Sequence, residues 1–122
     1  MPLSIANITF DCEEPQRVAT FWAAALGLEI DNGSNEFSEF FVSIGIGRDD
    51  VAPNWLFIKV PEDKLAKNRV HFDLEAEDAA VEVDRLVSLG ASHVADMVEH
   101  GHEWSVMNDV EGNEFCVSGP PA

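Results

Sequence analysis

The chain has 122 residues, of which 46% are hydrophobic and 25% charged, the size and composition of one globular domain. Its 23 Asp and Glu stand against 7 Lys and Arg, and the net charge of −16 would repel the phosphates of nucleic acids and the anionic surface of a membrane. These values exclude an elaborate multidomain enzyme, a nucleic-acid partner and a membrane partner.

The sequence also predicts a cytoplasmic protein with reduced thiols. The most apolar stretch, Val18 to Leu28, is far shorter than the ~20 residues that a helix needs to cross a bilayer. No basic segment followed by an apolar run opens the chain. Cys12 and Cys116 are too few for a disulfide framework, so we expect both as free thiols.

The first half of the chain predicts one helix among several strands. Pro15 suits the first helical position, where its missing N–H needs no partner. Val18, Phe21 and Trp22 then follow at helical spacing, and Gly27 is the natural end. Strands are predicted at Ile5–Asp11 before the helix, and at Glu29–Asp31, Phe37–Gly45 and Trp55–Val60 after it.

The second half repeats this order. Asp78 is a good N-cap, Val83, Leu86 and Val87 lie on one helical face, and Gly90 ends the helix. Strands are predicted at Arg69–Glu75 before the helix, and at Ser92–Val98, Glu103–Asn108 and Glu114–Ser118 after it.

An internal duplication therefore organises the chain. Gly27 and Gly90 are 63 positions apart, and the first-strand residues Asn7 and His71 are 64 apart. We predict an α+β fold with two βαβββ modules in a single domain over residues 1–122. Module one spans about 4–60, the junction about 61–68 and module two about 69–119.

Alternation along three strands indicates where the chemistry lies. In each of these strands one face is apolar and the other mostly polar, and two helices can cover only one side of the sheet. We expect the polar face to border a concave pocket; its members are Asn7, Thr9, His71, Asp73, Glu114 and Cys116.

Four sequence motifs show a family resemblance. They are Phe21–Trp22 with Leu26–Gly27–Leu28, the run Asn68–Asp73, the helix ending Leu89–Gly90–Ala91, and Asp109–Cys116. The chain resembles the glyoxalase-like branch of the vicinal oxygen chelate superfamily, which includes glyoxalases, bleomycin-resistance proteins and dihydroxybiphenyl dioxygenases. Val110 departs from the pattern, since the family usually has proline there.

The resemblance implies a curved, cup-shaped mixed sheet with one helix per module on its outer face, a frequent homodimer, and a divalent metal that chelates substrate. Its four ligand positions fall on Asn7, near Ile58, on His71 and on Cys116. Of these only His71 is a conventional ligand in the superfamily. We therefore assign no cofactor. A reorganised Zn, Fe, Mn or Ni site that uses His71, Cys116 and either Glu114 or Asp73 stays open as the alternative.

Each candidate residue also has a structural interpretation. We favour His71 as an acid–base residue over a hydrogen-bonded cavity histidine. Glu114, as its acid–base partner, and Asp73, as a substrate-binding residue, both have the open alternative of a solvated strand face. Asn7 and Thr9 are also predicted to bind substrate.

The remaining candidates each have two interpretations. Cys116 is a pocket residue, but nearby carboxylates favour an inert thiol over a reactive one. His100–Gly101–His102 resembles a metal pair, but the glycine favours an exposed turn. Trp104 is either an apolar wall of the pocket or ordinary core.

Three functions remain open. The first is a protein that binds a small cationic or aromatic compound in the cup, as drug-sequestering relatives do, which the acidic charge favours. The second is a lyase, isomerase or dioxygenase with a reorganised metal or a metal-free pair of His71 and Glu114. The third is an accessory domain whose working surface is a dimer interface. We rank small-molecule binding first.

Overall fold

The computed structural model describes residues 2–32 and 39–120. Over these residues the chain has two helices and seven strands, and the strands form a three-stranded and a four-stranded mixed sheet, which confirms the α+β class. The elements are β1 (Asn7–Cys12), α1 (Pro15–Leu26), β2 (Phe41–Ile44), β3 (Asn54–Lys59), β4 (Phe72–Glu75), α2 (Ala79–Ser88), β5 (Ser92–Glu99), β6 (His102–Asn108) and β7 (Glu114–Ser118).

Contacts divide the chain into two compact units, residues 1–63 and 64–122, here called the first and the second unit. The boundary between them falls within the segment that the sequence predicts as a junction. In the part of the chain that the structure describes, each unit contains one helix and one sheet. Neither helix of the described residues is long and apolar enough to cross a membrane.

In the first unit, α1 packs against the sheet ordered β1-β3-β2. The helix begins at Pro15, as predicted, and ends at Gly27, whose φ of 69° is a left-handed conformation that glycine adopts without strain. Trp22 on the helix lies 5.5 Å from Phe10 on β1, measured between ring centroids, and Phe10 lies 5.2 Å from Phe57 on β3. These rings form the core between helix and sheet.

One predicted strand of the first unit is wrong. Residues Glu29–Asp31 have irregular backbone, because the Asp31 carboxylate accepts hydrogen bonds from the backbone N–H groups of Gly45 and Ile46 and from the Ser43 hydroxyl, at 2.8–2.9 Å. These side-chain contacts, together with a backbone hydrogen bond from the N–H of Asp31 to the carbonyl of Ser43 at 3.0 Å, hold the segment without a strand ladder. Of the predicted strand Phe37–Gly45, the part at 41–44 is β2, and residues 37 and 38 lie outside the described residues.

The second unit has the predicted strand–helix–three-strand order. Its sheet is ordered β4-β7-β6-β5, with β4 parallel to β7 and the other pairs antiparallel. The Asp78 carboxylate caps α2 by accepting from the N–H of Val81 at 3.2 Å, as the sequence predicts. The strand predicted from Arg69 begins three residues later, at Phe72, so that His71 directly precedes β4.

Candidate functional site

Strand pairing places the polar candidates of the second unit on one face of its sheet. Asp73 on β4 pairs with Cys116 on β7, between the pairs Phe72–Phe115 and Leu74–Val117. Phe115 and Val117 are buried in the core. Because neighbouring residues of a strand point to opposite faces, Asp73 and Cys116 face away from that core, as the alternation predicts.

A cavity of about 400 Å³ opens on this face. That volume lies within the range of small-molecule sites, roughly 300–1,000 Å³. The cavity has acidic, imidazole, thiol, hydroxyl and indole groups around it. Its lining residues are His71, Asp73, His102, Glu103, Trp104, Cys116 and Ser118.

Three possible metal donors converge in this cavity. The Nε2 atom of His71 lies 3.4 Å from Oδ1 of Asp73. The nitrogen, oxygen and sulfur atoms that His71, Asp73 and Cys116 offer all lie within 4.8 Å of one another. The side chains of His71 and Asp73 are 40% and 76% exposed, so the cluster is open to ligands from solvent.

The Cys116 thiol is held in its neutral form. Burial raises the pKa of this thiol, and the negative charge of Asp73 and its hydrogen bond to Cys116 raise it further, whereas Lys67 lowers it slightly. In the absence of a metal ion, Cys116 is therefore a poor nucleophile, as its acidic surroundings predict.

Glu114 has different partners from those that the sequence suggested. Its carboxylate lies 2.6 Å from Nζ of Lys64 and accepts from the backbone N–H of Asn68 at 3.2 Å. Burial would raise the pKa of Glu114, but these two donors outweigh burial and lower it. Glu114 is not among the lining residues of the cavity, and it ties segment 64–68 to β7. Its role as an acid–base partner of His71 stays a prediction.

Asn7 and Thr9 lie at exposed positions on β1 in the first unit. Both are on the face of β1 opposite Phe10, whose ring is in the core of that unit. Their assignment as binding residues stays a prediction. Trp104, on β6, lines the cavity of the second unit, which is the first of its two predicted interpretations.

Sequence reasoning missed three lining residues: His102, Glu103 and Ser118. His100 and Gly101 do form the predicted turn, with positive φ at both and the His100 side chain 89% exposed, but His102 begins β6. Strand alternation could have identified two of them, because His102 is two residues before Trp104 and Ser118 is two residues after Cys116, so each pair shares a face of its strand.

The chain matches one protein family model and is similar in fold to many solved structures. A family model described as a glyoxalase-like domain matches residues 7–118. No curated protein sequence matches the chain.

Three solved structures illustrate the related folds. A glyoxalase/bleomycin resistance protein/dioxygenase family enzyme from Burkholderia phytofirmans has a TM-score of 0.73 at 12% identity, over 96% of this chain and 98% of that one. Lactoylglutathione lyase from Agrobacterium tumefaciens has a TM-score of 0.63 at 16% identity, over 98% and 95%. The bleomycin-binding protein from Streptomyces verticillus, complexed with copper(II)-bleomycin, has a TM-score of 0.61 at 14% identity, over 99% of both chains. At these identities the likeness establishes the fold.

Proposed function

Because the chain belongs to the glyoxalase-like domain family, we propose that it binds a small organic molecule in the cavity of its second unit, and that this molecule is cationic and aromatic. The observation that carries this proposal is the composition of the cavity wall. Two acidic residues, Asp73 and Glu103, and the aromatic residue Trp104 are among those that line the cavity. A compound with a positive charge next to an aromatic ring would match both kinds of group.

The charge of the whole chain supports the same class of ligand. A net charge of −16 raises the local concentration of cations around the protein and speeds their capture. The related fold of a bleomycin-binding protein supports a binding role, since that relative holds its ligand as copper(II)-bleomycin.

We assign distinct roles to the polar residues of the cavity. His71 and the Ser118 hydroxyl form hydrogen bonds with polar groups of the ligand, and each can act as donor or as acceptor. Cys116, as a neutral thiol, contributes a weakly polar wall. Asn7 and Thr9, which strand alternation predicts on the polar face of β1, stay proposed binding residues of the first unit.

Calorimetric titration with two planar dyes tests the proposed ligand class. Ethidium, an aromatic cation, is expected to bind saturably and more weakly as salt is added, whereas anilinonaphthalene sulfonate, an aromatic anion, is expected to bind at least tenfold more weakly, on the order of 1.4 kcal/mol. Equal affinity for the two dyes, or no saturable binding of either, would contradict the proposal.

Variants locate that binding. Trp104→Leu and Asp73→Asn are expected to weaken ethidium binding. Asp96→Asn is the charge-matched control, because Asp96 is an exposed acid on β5 that contacts His93 and Ser105 and does not line the cavity. An equal loss in the control would mean that general acidity, and not the cavity, attracts the dye.

A second candidate function is metal-dependent lyase, isomerase or dioxygenase chemistry, and the observation that favours it is the convergence of three donor atoms. The donors fit a divalent ion such as Zn, Fe, Mn or Ni, since a catalytic site needs about three protein ligands and an open position. His71, Asp73 and Cys116 would hold the ion, which when bound would polarise a substrate oxygen. In the alternative without a metal, His71 and Glu114 are the proposed acid–base pair.

Elemental analysis of protein taken directly from cells tests this second candidate. Near-stoichiometric metal in the wild type that falls in His71→Ala would support it. Absence of metal from both proteins, with no turnover of any oxygen-chelating substrate tried, would leave the binding role alone.

A further inference from the structure

We infer that the ligand of the second unit's cavity is bipolar, an aromatic compound that carries an anionic group such as a carboxylate in addition to its positive charge, and that Lys67 binds the anionic group. The inference rests on the proposed function and deepens it by naming a second charge on the ligand. It depends on no metal ion and on no catalytic activity.

Positive charge is concentrated in one short segment of this acidic chain. Residues 64–69, here called the basic segment, contain Lys64, Lys67 and Arg69, which are three of the seven Lys and Arg residues of the protein. The segment belongs to the second unit and ends two residues before His71, which lines the cavity. Such a local group of cations can attract an anion even where the net charge of the chain is negative.

Glu114 fixes the basic segment to β7. Its carboxylate lies 2.6 Å from Nζ of Lys64 and accepts from the backbone N–H of Asn68 at 3.2 Å, and the Asn68 side-chain amide donates to the Glu114 carbonyl at 3.4 Å. Glu114 precedes Cys116 by two residues, so both lie on the same face of β7. The contacts of Lys64 and Asn68 therefore hold Lys67, which lies between them, beside the face on which the cavity opens.

Lys67 is the cation of this segment that is both near the cavity and available to a ligand. The charge of Lys64 is neutralised by Glu114. Lys67 is exposed and forms no ion pair with any residue that the structure describes. Its charge acts on the thiol of Cys116, whose pKa it lowers, so the ammonium group lies close to a lining residue of the cavity.

The cavity thus offers a ligand both signs of charge. Asp73 and Glu103 are acidic lining residues, and Lys67 adds a positive charge near Cys116. Groups of opposite sign orient a ligand that has one charge of each sign, with its anion toward Lys67 and its cation toward the carboxylates. An anion without a cationic group would meet the acidic residues with no compensating contact, which agrees with the weak binding expected of anilinonaphthalene sulfonate.

Two dyes that differ in one charge test the inference. Tetramethylrhodamine is an aromatic cation that also carries a carboxylate, whereas its methyl ester keeps the cation and lacks the carboxylate. In fluorescence-anisotropy titrations at low salt, the wild type is expected to bind the zwitterionic dye at least about threefold more tightly than the ester, the effect of one solvent-accessible ion pair. Added salt is expected to reduce this preference, because it screens the pair.

Variants assign the preference to Lys67. Lys67→Met removes the charge and is expected to bind the two dyes equally, whereas Lys67→Arg keeps the charge and is expected to keep the preference. Arg85→Gln is the charge-matched control, because Arg85 pairs with Glu82 on α2, which contributes no lining residue to the cavity. This control is expected to keep the preference. Circular dichroism checks that every variant is folded.

The inference is overturned if folded wild type binds the two dyes equally, if Lys67→Met keeps the preference, or if Arg85→Gln loses it to the same extent as Lys67→Met. The same titrations separate this inference from the proposed function. Saturable binding of both dyes with equal affinity would reject the anion-binding role of Lys67 alone, whereas no saturable binding of either dye would reject both proposals.

Discussion

Asp73 is the side chain that links two other residues of this cavity, since it contacts both His71 and Cys116. Its carboxylate accepts a hydrogen bond from the Cys116 thiol and lies 3.4 Å from Nε2 of His71, and it adds to burial in raising the pKa of the thiol. Removing its charge while keeping its shape should therefore change the reactivity of Cys116 more than the fold.

Asp73→Asn is expected to speed alkylation of Cys116 by iodoacetamide. The charge of Asp73 contributes to the raised pKa of the thiol, so its loss lowers that pKa and increases the thiolate fraction at about pH 8. We expect a rate increase of about two- to tenfold, measured by mass spectrometry of the modified peptide. Cys12, only 1% exposed, is the internal control and should stay unmodified. An unchanged rate at Cys116 would show that burial alone raises its pKa.

Glu114→Gln is expected to lower the free energy of unfolding by about 1 kcal/mol at neutral pH, because the amide cannot replace the ion pair with Lys64. The folded-state pKa of Glu114 is lowered, so its contribution is complete above the ordinary glutamate value of 4.5 and is lost as the pH falls through the lower folded value.

Urea denaturation across this pH range measures the effect. The gap between wild type and Glu114→Gln should be constant above about pH 5 and close below it. Glu75→Gln, at an exposed position of β4, is the control and should change stability by less than about 0.5 kcal/mol. A gap that widens in acid would contradict the lowered pKa.

At the scale of the elements, the predicted bounds of a helix or strand were correct where a short sequence pattern is enough to determine them. The strand Glu114–Ser118 has the predicted bounds, because Phe115 and Val117 alternate strictly with polar neighbours. Pro15 and Gly27 bounded α1 in the same way. These signals act within a few residues, so neighbouring elements cannot override them easily.

Predictions failed where a distant contact decides the structure. Ile30 with two acidic neighbours resembled a strand, but Asp31 bonds to backbone N–H groups 14 and 15 residues away. The ion pair of Glu114 with Lys64 spans 50 residues, and no periodic pattern indicates it. His71, Asp73 and Cys116 could be placed on one face by alternation, whereas the cavity around them depends on how β6 pairs with β7.

Gly90→Ala is expected to destabilise the second unit by about 2 kcal/mol. Its φ of 115° strains any side chain, and an added Cβ would lie 2.8 Å from Cγ1 of Val110. Gly101→Ala has the positive φ without the contact and should cost about 1 kcal/mol, and Gly119→Ala has neither and should be neutral. Urea denaturation gives the ranking. Equal effects at Gly90 and Gly101 would show that Val110 moves aside.

At the scale of the whole molecule, charge governs association. We propose that the protein is cytoplasmic, as the sequence predicts, and a homodimer, as the family resemblance implies. Two chains of net charge −16 nevertheless repel one another. Raising the ionic strength to about 0.15 M shortens the Debye length to about 8 Å, so salt should increase the dimer fraction. Analytical ultracentrifugation at several salt concentrations measures this. A monomer under every condition would contradict the homodimer.

The account as a whole depends on one location, the sheet face of the second unit that carries His71, Asp73 and Cys116. Amide NMR spectra recorded while ethidium is added report that location residue by residue. We predict saturable shifts at residues 71–73, 102–104 and 116–118, with Trp104→Leu reducing them. Shifts confined to the strands of the first unit, or spread without saturation over acidic surface residues, would contradict a ligand site in this cavity.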